Sequence, residues 1–333
     1  MDATIILWIV VFLALAFDFI NGFHDTANAI ATTVSTRALK PRVAILLAAT
    51  MNFVGAITFT GVAKTIGGSV ANPADLEFGV QVVIAALISA IAWNLITWWF
   101  GIPSSSSHAL IGSLAGAVIG AAGFSAINKE GFTDIMKALL LSPLIAFSIG
   151  FILMWILKKA FAKASPHSIN KGFRFGQIIT AAFQSFSHGT NDAQKAMGII
   201  TFALVAAEVQ DNYDVPLWVK ISAAVAMALG TSVGGWKIIK TMGTKIFKIE
   251  PINGFAADIG SAVVILTATV IHLPVSTTHV ITSSILGVGS AKRFSSVRWS
   301  VAGRIVIAWV ITIPITMSFA ALVYWIIEKL FLQ

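Results

Sequence analysis

Apolar runs separated by short polar connections account for nearly the whole sequence. Five fall in the first half, at Thr4–Ala31, Arg42–Ala63, Gly79–Phe100, Pro103–Ala122 and Thr133–Leu157. Five more follow, at Phe175–Ala206, Leu217–Trp236, Asn253–His272, Pro274–Gly289 and Trp299–Ile327. A helix needs about 20 such residues to cross the hydrocarbon layer, so these runs predict membrane segments. Lipid offers the backbone no hydrogen-bond partners, and helices satisfy their own. The expected fold is an all-α polytopic membrane protein. Residues 1–160 are expected to form an N-terminal membrane repeat, 161–174 a basic cytoplasmic loop, and 175–333 a C-terminal repeat of the same kind.

The word repeat rests on three matches. Gly22-Phe23-His24-Asp25-Thr26-Ala27-Asn28-Ala29 aligns with Gly189-Thr190-Asn191-Asp192-Ala193-Gln194-Lys195-Ala196, 167 positions on. Pro103-Ser104-Ser105-Ser106-Ser107-His108 aligns with Pro274-Val275-Ser276-Thr277-Thr278-His279 at an offset of 171, and Lys64-Thr65-Ile66-Gly67 with Lys240-Thr241-Met242-Gly243 at 176. Matches in one order with slowly drifting offsets indicate duplication. If the third and fourth segments of each half dip in and out as a re-entrant hairpin, each half crosses the membrane an odd number of times. The two copies then point in opposite directions. Inverted repeats around a midplane site are the architecture of many secondary transporters, and some channels share it.

Charge orients the chain. Only 11% of the 333 residues are charged against 57% hydrophobic, and the mean hydropathy of +0.88 excludes an ordinary soluble domain. The net charge of +8 suits basic cytoplasmic loops better than nucleic-acid binding. Threading the ten segments puts Arg37, Lys40, Arg42, the Lys158–Arg174 stretch, Lys237–Lys248 and Lys292–Arg298 on one face. That face holds 15 of the 22 Lys and Arg residues. Asp75, Glu77, Glu208, Asp211 and Asp214 gather on the other. The positive-inside rule predicts a multi-pass plasma-membrane protein with both termini outside. The N-terminus carries Asp2 and no basic stretch before its apolar run, so no cleaved signal peptide is expected. Zero cysteines exclude disulfides and thiolate chemistry.

The candidate chemistry sits inside the apolar runs. Asp18, Asp25, Asp192 and Asp258 are acids where a charge costs about 2.5–3.5 kcal/mol on insertion scales, so such residues normally face a functional cavity. Asp25 and Asp192 lead, because the duplication makes them equivalent; Asp18 has Gln and Ser near its counterpart and is either functional or a structural hydrogen-bonding acid. Thr26, Asn28, Thr190 and Asn191 add neutral oxygen ligands, and His24 and His188 either handle protons or bond helices together. Helix breaks are expected at Asn21-Gly22 and His188-Gly189, since glycine and asparagine disfavour helix interiors. In the serine-rich stretches, Pro103 and Pro274 suit a first helical turn. The hydroxyls of Ser105, Ser106, Ser107, Ser276, Thr277 and Thr278 would then line two helix N-termini, whose free N–H groups suit an oxyanion. The plainer alternative is a small-polar contact between helices. Lys195 stands where the first copy has Asn28 and either pairs with Asp192 or offsets substrate charge. Gly112, Gly116 and Gly120 read as helix packing. Neither a P-loop nor any other cofactor signature is present, so ATP is not the direct energy source. An intramembrane serine hydrolase is disfavoured because hydrolysis needs no second copy of the site.

The motifs F-D-F-I-N-G-F-H-D-T-A-N-A-I-A-T around Gly22, S-H-G-T-N-D-A-Q-K-A-M-G from Ser187 and L-P-V-S-T-T-H from Leu273 resemble the signatures of the inorganic phosphate transporter (PiT) family. The resemblance runs from Phe17 to Gly287 and is closest to the short bacterial low-affinity branch. It implies symport of inorganic phosphate with a proton or sodium, with sodium placed at Asp25 and Asp192, and no enzymatic activity. Animal members carry glutamates where Asn52 and Asp258 stand here, so their sodium coupling does not transfer. A sulfate permease of the same fold and an anion channel are the alternatives. The oligomeric state is open, a homodimer included.

Overall fold

The computed structural model describes residues 3–71, 76 and 78–332. Among them there are helices and no strands. Helices α1 (Ala3–Ser35), α2 (Pro41–Ala56), α3 (Gly61–Ser69), α4 (Gly79–Phe100), α5 (Ser106–Ala122) and α6 (Lys129–Ala160) make the first half. Helices α7 (Pro166–Ala206), α8 (Leu217–Val233), α9 (Trp236–Lys240, continued by a π turn at Thr241–Lys245), α10 (Pro251–Val270), α11 (Thr277–Lys292) and α12 (Trp299–Ile327) make the second. A three-residue 3-10 turn separates the fifth and sixth helices of each half, at Phe124–Ala126 and Phe294–Ser296. Five helices are long and apolar enough to cross a membrane, and the bent pair α8–α9 makes a sixth candidate. Asp75 and Glu77 lie outside the described residues.

Three expectations change. The second and seventh apolar runs are each two helices: α2 and α3 are separated by a turn, and α8 and α9 meet at 62° across Gly234, which holds a left-handed φ of +77°. The basic stretch 161–174 is a loop only as far as Ser165, because Ser165 caps α7 by accepting from the Ser168 N–H and Pro at the first helical position sustains the turn. The breaks expected at Asn21-Gly22 and His188-Gly189 are absent, and α1 and α7 run straight through them.

The physical reason is close packing. A Cβ on Gly22 would lie 2.5 Å from Met227 O and 3.0 Å from Gly230 Cα on α8; one on Gly189 would lie 2.3 Å from Asn52 O on α2. These glycines let α1 cross α8, and α7 cross α2, with backbones in contact. Small residues serve this purpose in membrane helices, where packing and not water drives association. The Gly112–Gly116–Gly120 stripe does the same for α5 against α12, facing Thr316, Met317 and Ala321.

The halves are therefore interlocked. α1 packs on α8 and α2 on α7, while α5 lies against α12 and α6 against α11. The hairpins α4–α5 and α10–α11 open toward opposite ends of the bundle. Beside α5, the Asn128 N–H at the start of α6 bonds to Val70 O. At the other end, Lys158 near the end of α6 donates to Lys292 O on α11, and Lys292 pairs with Glu250 just before α10 at 2.8 Å. Large apolar side chains such as Trp99, Phe100, Leu144 and Val310 remain exposed on the flanks, matching a lipid surround.

Candidate substrate site at two helix tips

The tips of the two hairpins meet in the middle of the bundle. Ser105 caps α5 by accepting from the His108 N–H at 3.0 Å, and Ser276 caps α11 by accepting from the His279 N–H at 3.2 Å. Both caps leave the N–H groups of the first helical residues, Ser106, Ser107, Thr277 and Thr278, without carbonyls inside their helices. Ser107 Oγ donates to Val275 O at 2.8 Å, so one tip touches the other. Behind them, the rings of His108 and His279 lie 4.4 Å apart, and His279 stacks on Trp309.

Asp25 and Asp192 flank this contact, both buried. Asp25 takes one hydroxyl from each tip: Ser106 Oγ donates to its Oδ2 and Thr278 Oγ1 to its Oδ1, each at 3.2 Å. His24 Nδ1 lies 2.6 Å from the same Oδ1. Asp192 Oδ2 accepts from Thr277 Oγ1 at 3.2 Å and from Asn21 Nδ2 at 3.3 Å, with His188 Nε2 also 3.3 Å away. Its Oδ1 is 2.7 Å from Lys195 Nζ, which also donates to Ser106 Oγ at 3.0 Å. Asn28 Nδ2 donates to Thr278 Oγ1 at 2.9 Å and Thr277 Oγ1 at 3.4 Å. Ligand atoms of Asp25, His188 and Asp192 all fall within 4.8 Å of one another, close enough to share one small cation. The result is a buried cluster of donors and acids drawn from both halves.

The remaining sequence candidates are placed unevenly. Thr26 Oγ1 donates to Gly22 O and Thr231 O, and Thr190 Oγ1 donates to Ser187 O and lies 3.3 Å from Thr269 Oγ1, so these hydroxyls fasten helices. Asn191 positions the second tip, donating to Thr269 Oγ1 and Leu273 O and accepting from the Val275 N–H. Asp258 accepts from Thr32 and Thr180 instead. It lies eleven residues before Thr269 on α10, about 16 Å along the helix axis. Asp18 is buried with neither carboxylate oxygen hydrogen-bonded among the described residues. The string Gly230-Thr231-Ser232-Val233-Gly234 has the G-x-S-x-G form of a hydrolase elbow. It ends helix α8, however, and Ser232 Oγ simply donates to Leu229 O, so no strand presents a nucleophile.

Sequence reading passed over Thr97 and Thr269. Thr97 Oγ1 lies 3.1 Å from His24 Nε2, and Thr269 Oγ1 accepts from Asn191 Nδ2, the residue that aligns with His24. The two threonines sit at an offset of 172, so the duplication itself was the signal that could have found them.

The sequence profile of the phosphate transporter family matches residues 21–320. The chain belongs to that family. It is 61% identical over 333 residues to a probable low-affinity inorganic phosphate transporter of Bacillus subtilis (strain 168), covering 99% of this chain and 100% of that one. A protein of the same description from Rhizobium meliloti (strain 1021) is 47% identical over 98% of each chain. Among solved structures, one described as the sodium-dependent phosphate transporter matches with a TM-score of 0.85 and 26% identity, over 98% of this chain and 99% of that one. The resemblance read from the motifs is thus shown. These relatives are transporters and not enzymes, and this member is likewise a multi-pass membrane protein.

Proposed function

We propose that this protein is a secondary active symporter. It moves inorganic phosphate into the cell with protons or sodium, by alternating access between two inverted repeats. The observation that carries this reading is the meeting of two capped helix N-termini, one from each half, whose hydroxyls are bonded to the matched acids Asp25 and Asp192. Phosphate would take the free N–H groups and the hydroxyls of Ser106, Ser107, Thr277 and Thr278, with Ser105 and Ser276 holding each tip in shape. The opposite openings of the α4–α5 and α10–α11 hairpins and the reciprocal packing of the halves support the inversion.

Two acids beside an anion supply the coupling. Alone they repel it; a proton on one of them, or a sodium ion held by Asp25, His188 and Asp192, removes that repulsion. Each ligand then raises the affinity for the other by the same factor. Ser106, Thr277 and Thr278 bond this pair to the tips, and Asn28 and Asn191, on the same helices as the acids, bond to the second tip, so cation occupancy and tip position are linked. Asp258, held by the hydroxyls of Thr32 and Thr180, is a separate candidate for a coupling ion or proton.

The deciding measurement is uptake of labelled phosphate into proteoliposomes under separately imposed proton and sodium gradients. Accumulation above equilibrium that an ionophore collapses is the expected result. Only downhill flux would make the protein a channel.

A further inference from the structure

The two copies of the signature differ in one respect that changes the charge of the site. Position 28 is Asn and its counterpart, position 195, is Lys. Both side chains do the same geometric job, reaching across to the tip of the other half: Asn28 to Thr278 at 2.9 Å, Lys195 to Ser106 at 3.0 Å. Lys195 is only 1% exposed, rare for a lysine, and its ammonium lies 2.7 Å from Asp192 Oδ1. Ser106 in turn donates to Asp25. The ammonium is therefore one hydroxyl away from the second acid and within the donor cluster at the tips.

We propose that Lys195 is a tethered counter-cation, a permanent occupant of a position that a mobile coupling cation would otherwise fill. When both acids are ionised, Asp25 and Asp192 together carry two negative charges, and with the ammonium of Lys195 in place the trio carries one. An anion entering between the tips meets a site already half neutralised, so one mobile cation fewer is needed per anion. Asp25 has no ammonium bonded to it; its hydrogen-bond partners among the described residues are His24, Ser106 and Thr278, and it remains the acid that a mobile cation must serve. The duplicated site thus works with two unlike halves, one with a built-in cation and one with an exchangeable one.

The proposal rests on the phosphate-symport reading above and is tested by charge counting. Lys195→Asn restores the residue of the first copy, and Lys195→Arg keeps the charge. The electrical reversal potential of phosphate transport in proteoliposomes gives the net charge moved per phosphate, whichever cation is used. Lys195→Asn should move one more positive charge per phosphate than the wild type, and Lys195→Arg the same number as the wild type. With a tenfold cation gradient and no membrane potential, the limiting phosphate accumulation of Lys195→Asn should be about tenfold higher, one extra factor of the gradient. Binding of inorganic phosphate to purified protein supplies a second readout independent of turnover. For Lys195→Asn, the slope of log affinity against log cation concentration should rise by about one. An unchanged charge count and slope would make Lys195 only the structural partner of Asp192. Loss of phosphate binding at every cation concentration in folded Lys195→Asn would overturn the proposal as well, because an added cation should replace the tethered one. Failure of the wild type to accumulate phosphate under any gradient would instead refute the symport reading.

Discussion

Asp25 and Asp192 occupy corresponding positions yet keep different company. Asp25 bonds to hydroxyls of both tips and to His24, whereas Asp192 bonds to one tip, to Asn21 and to Lys195. Asp25→Asn and Asp192→Asn should each abolish concentrative phosphate uptake while the protein still inserts and runs as a single species by size-exclusion chromatography. Asp192→Asn should also lose more stability, because it strands the buried Lys195 charge; breaking a buried pair costs about 3–5 kcal/mol. Near-normal uptake in either folded variant would remove that acid from coupling. The same acids bear on selectivity. Arsenate has the shape of phosphate and keeps a proton near neutral pH, so it can donate to a carboxylate; sulfate offers acceptors alone. In competition with labelled phosphate, arsenate should inhibit about as well as phosphate itself. Sulfate should be roughly ten- to a hundredfold weaker, the equivalent of about 1–3 kcal/mol for an unpaired buried acceptor. Equal inhibition by sulfate would mean that no acid touches the bound anion.

At the scale of elements, the duplication places the same hydrogen bond twice. Thr65 Oγ1 on α3 donates to His272 O, at the turn leading into the second tip, at 2.8 Å. Thr241 Oγ1, after α9, donates to Gly101 O, at the turn leading into the first tip, at 3.0 Å. These threonines belong to the two Lys-Thr-x-Gly matches, so each half clamps the hairpin of the other. Thr65→Val and Thr241→Val each remove the one bond between halves, along with a weaker one to the residue four back, and keep the shape; each should alter the initial uptake rate severalfold with little loss of stability. Equal, wild-type rates in both would show the clamps to be passive. The glycine crossings carry the opposite expectation. Gly22→Val adds atoms where Met227 O already lies 2.5 Å from the first Cβ, and overpacking of this kind costs about 1–3 kcal/mol or more. A thermal scan of the purified protein should show the loss. Those glycines also explain what could not be read from the sequence. A glycine beside a polar residue in an apolar run looks the same whether it breaks a helix or lets a neighbour approach, and only the partner's backbone decides. The tips were legible because proline, capping hydroxyl and histidine recur at fixed spacing in both copies. The split at α2–α3 was not, because Thr58 and Thr60 alternate there with apolar Ile57 and Phe59; at α8–α9 the pair Gly234-Gly235 was a turn signal that the surrounding apolar run masked.

For the whole molecule, the distribution of basic residues and the interlocking of the halves lead to one arrangement. Lys158, Glu250 and Lys292 meet at one end of the bundle, and the Arg298 N–H bonds to Ile246 O there. Lys64 pairs with Asp214 elsewhere, in the connection that also carries Glu208 and Asp211. If the basic end is cytoplasmic, as the positive-inside rule requires, the α4–α5 hairpin enters from outside and the α10–α11 hairpin from the cytoplasm. The tips then meet near the midplane from opposite sides, the arrangement that the proposed alternating access requires. The chain has no cysteine, so single-cysteine variants can be read against a silent background. Lys163→Cys and Lys245→Cys should both react with an impermeant thiol reagent only from the cytoplasmic side, and Asp211→Cys only from outside. Labelling of positions 163 and 245 from opposite sides would break the threading, since an odd number of crossings would then separate them. The inverted arrangement would fall with it, and the matched acids would have to be explained as neighbours that share a structural role without exchanging access.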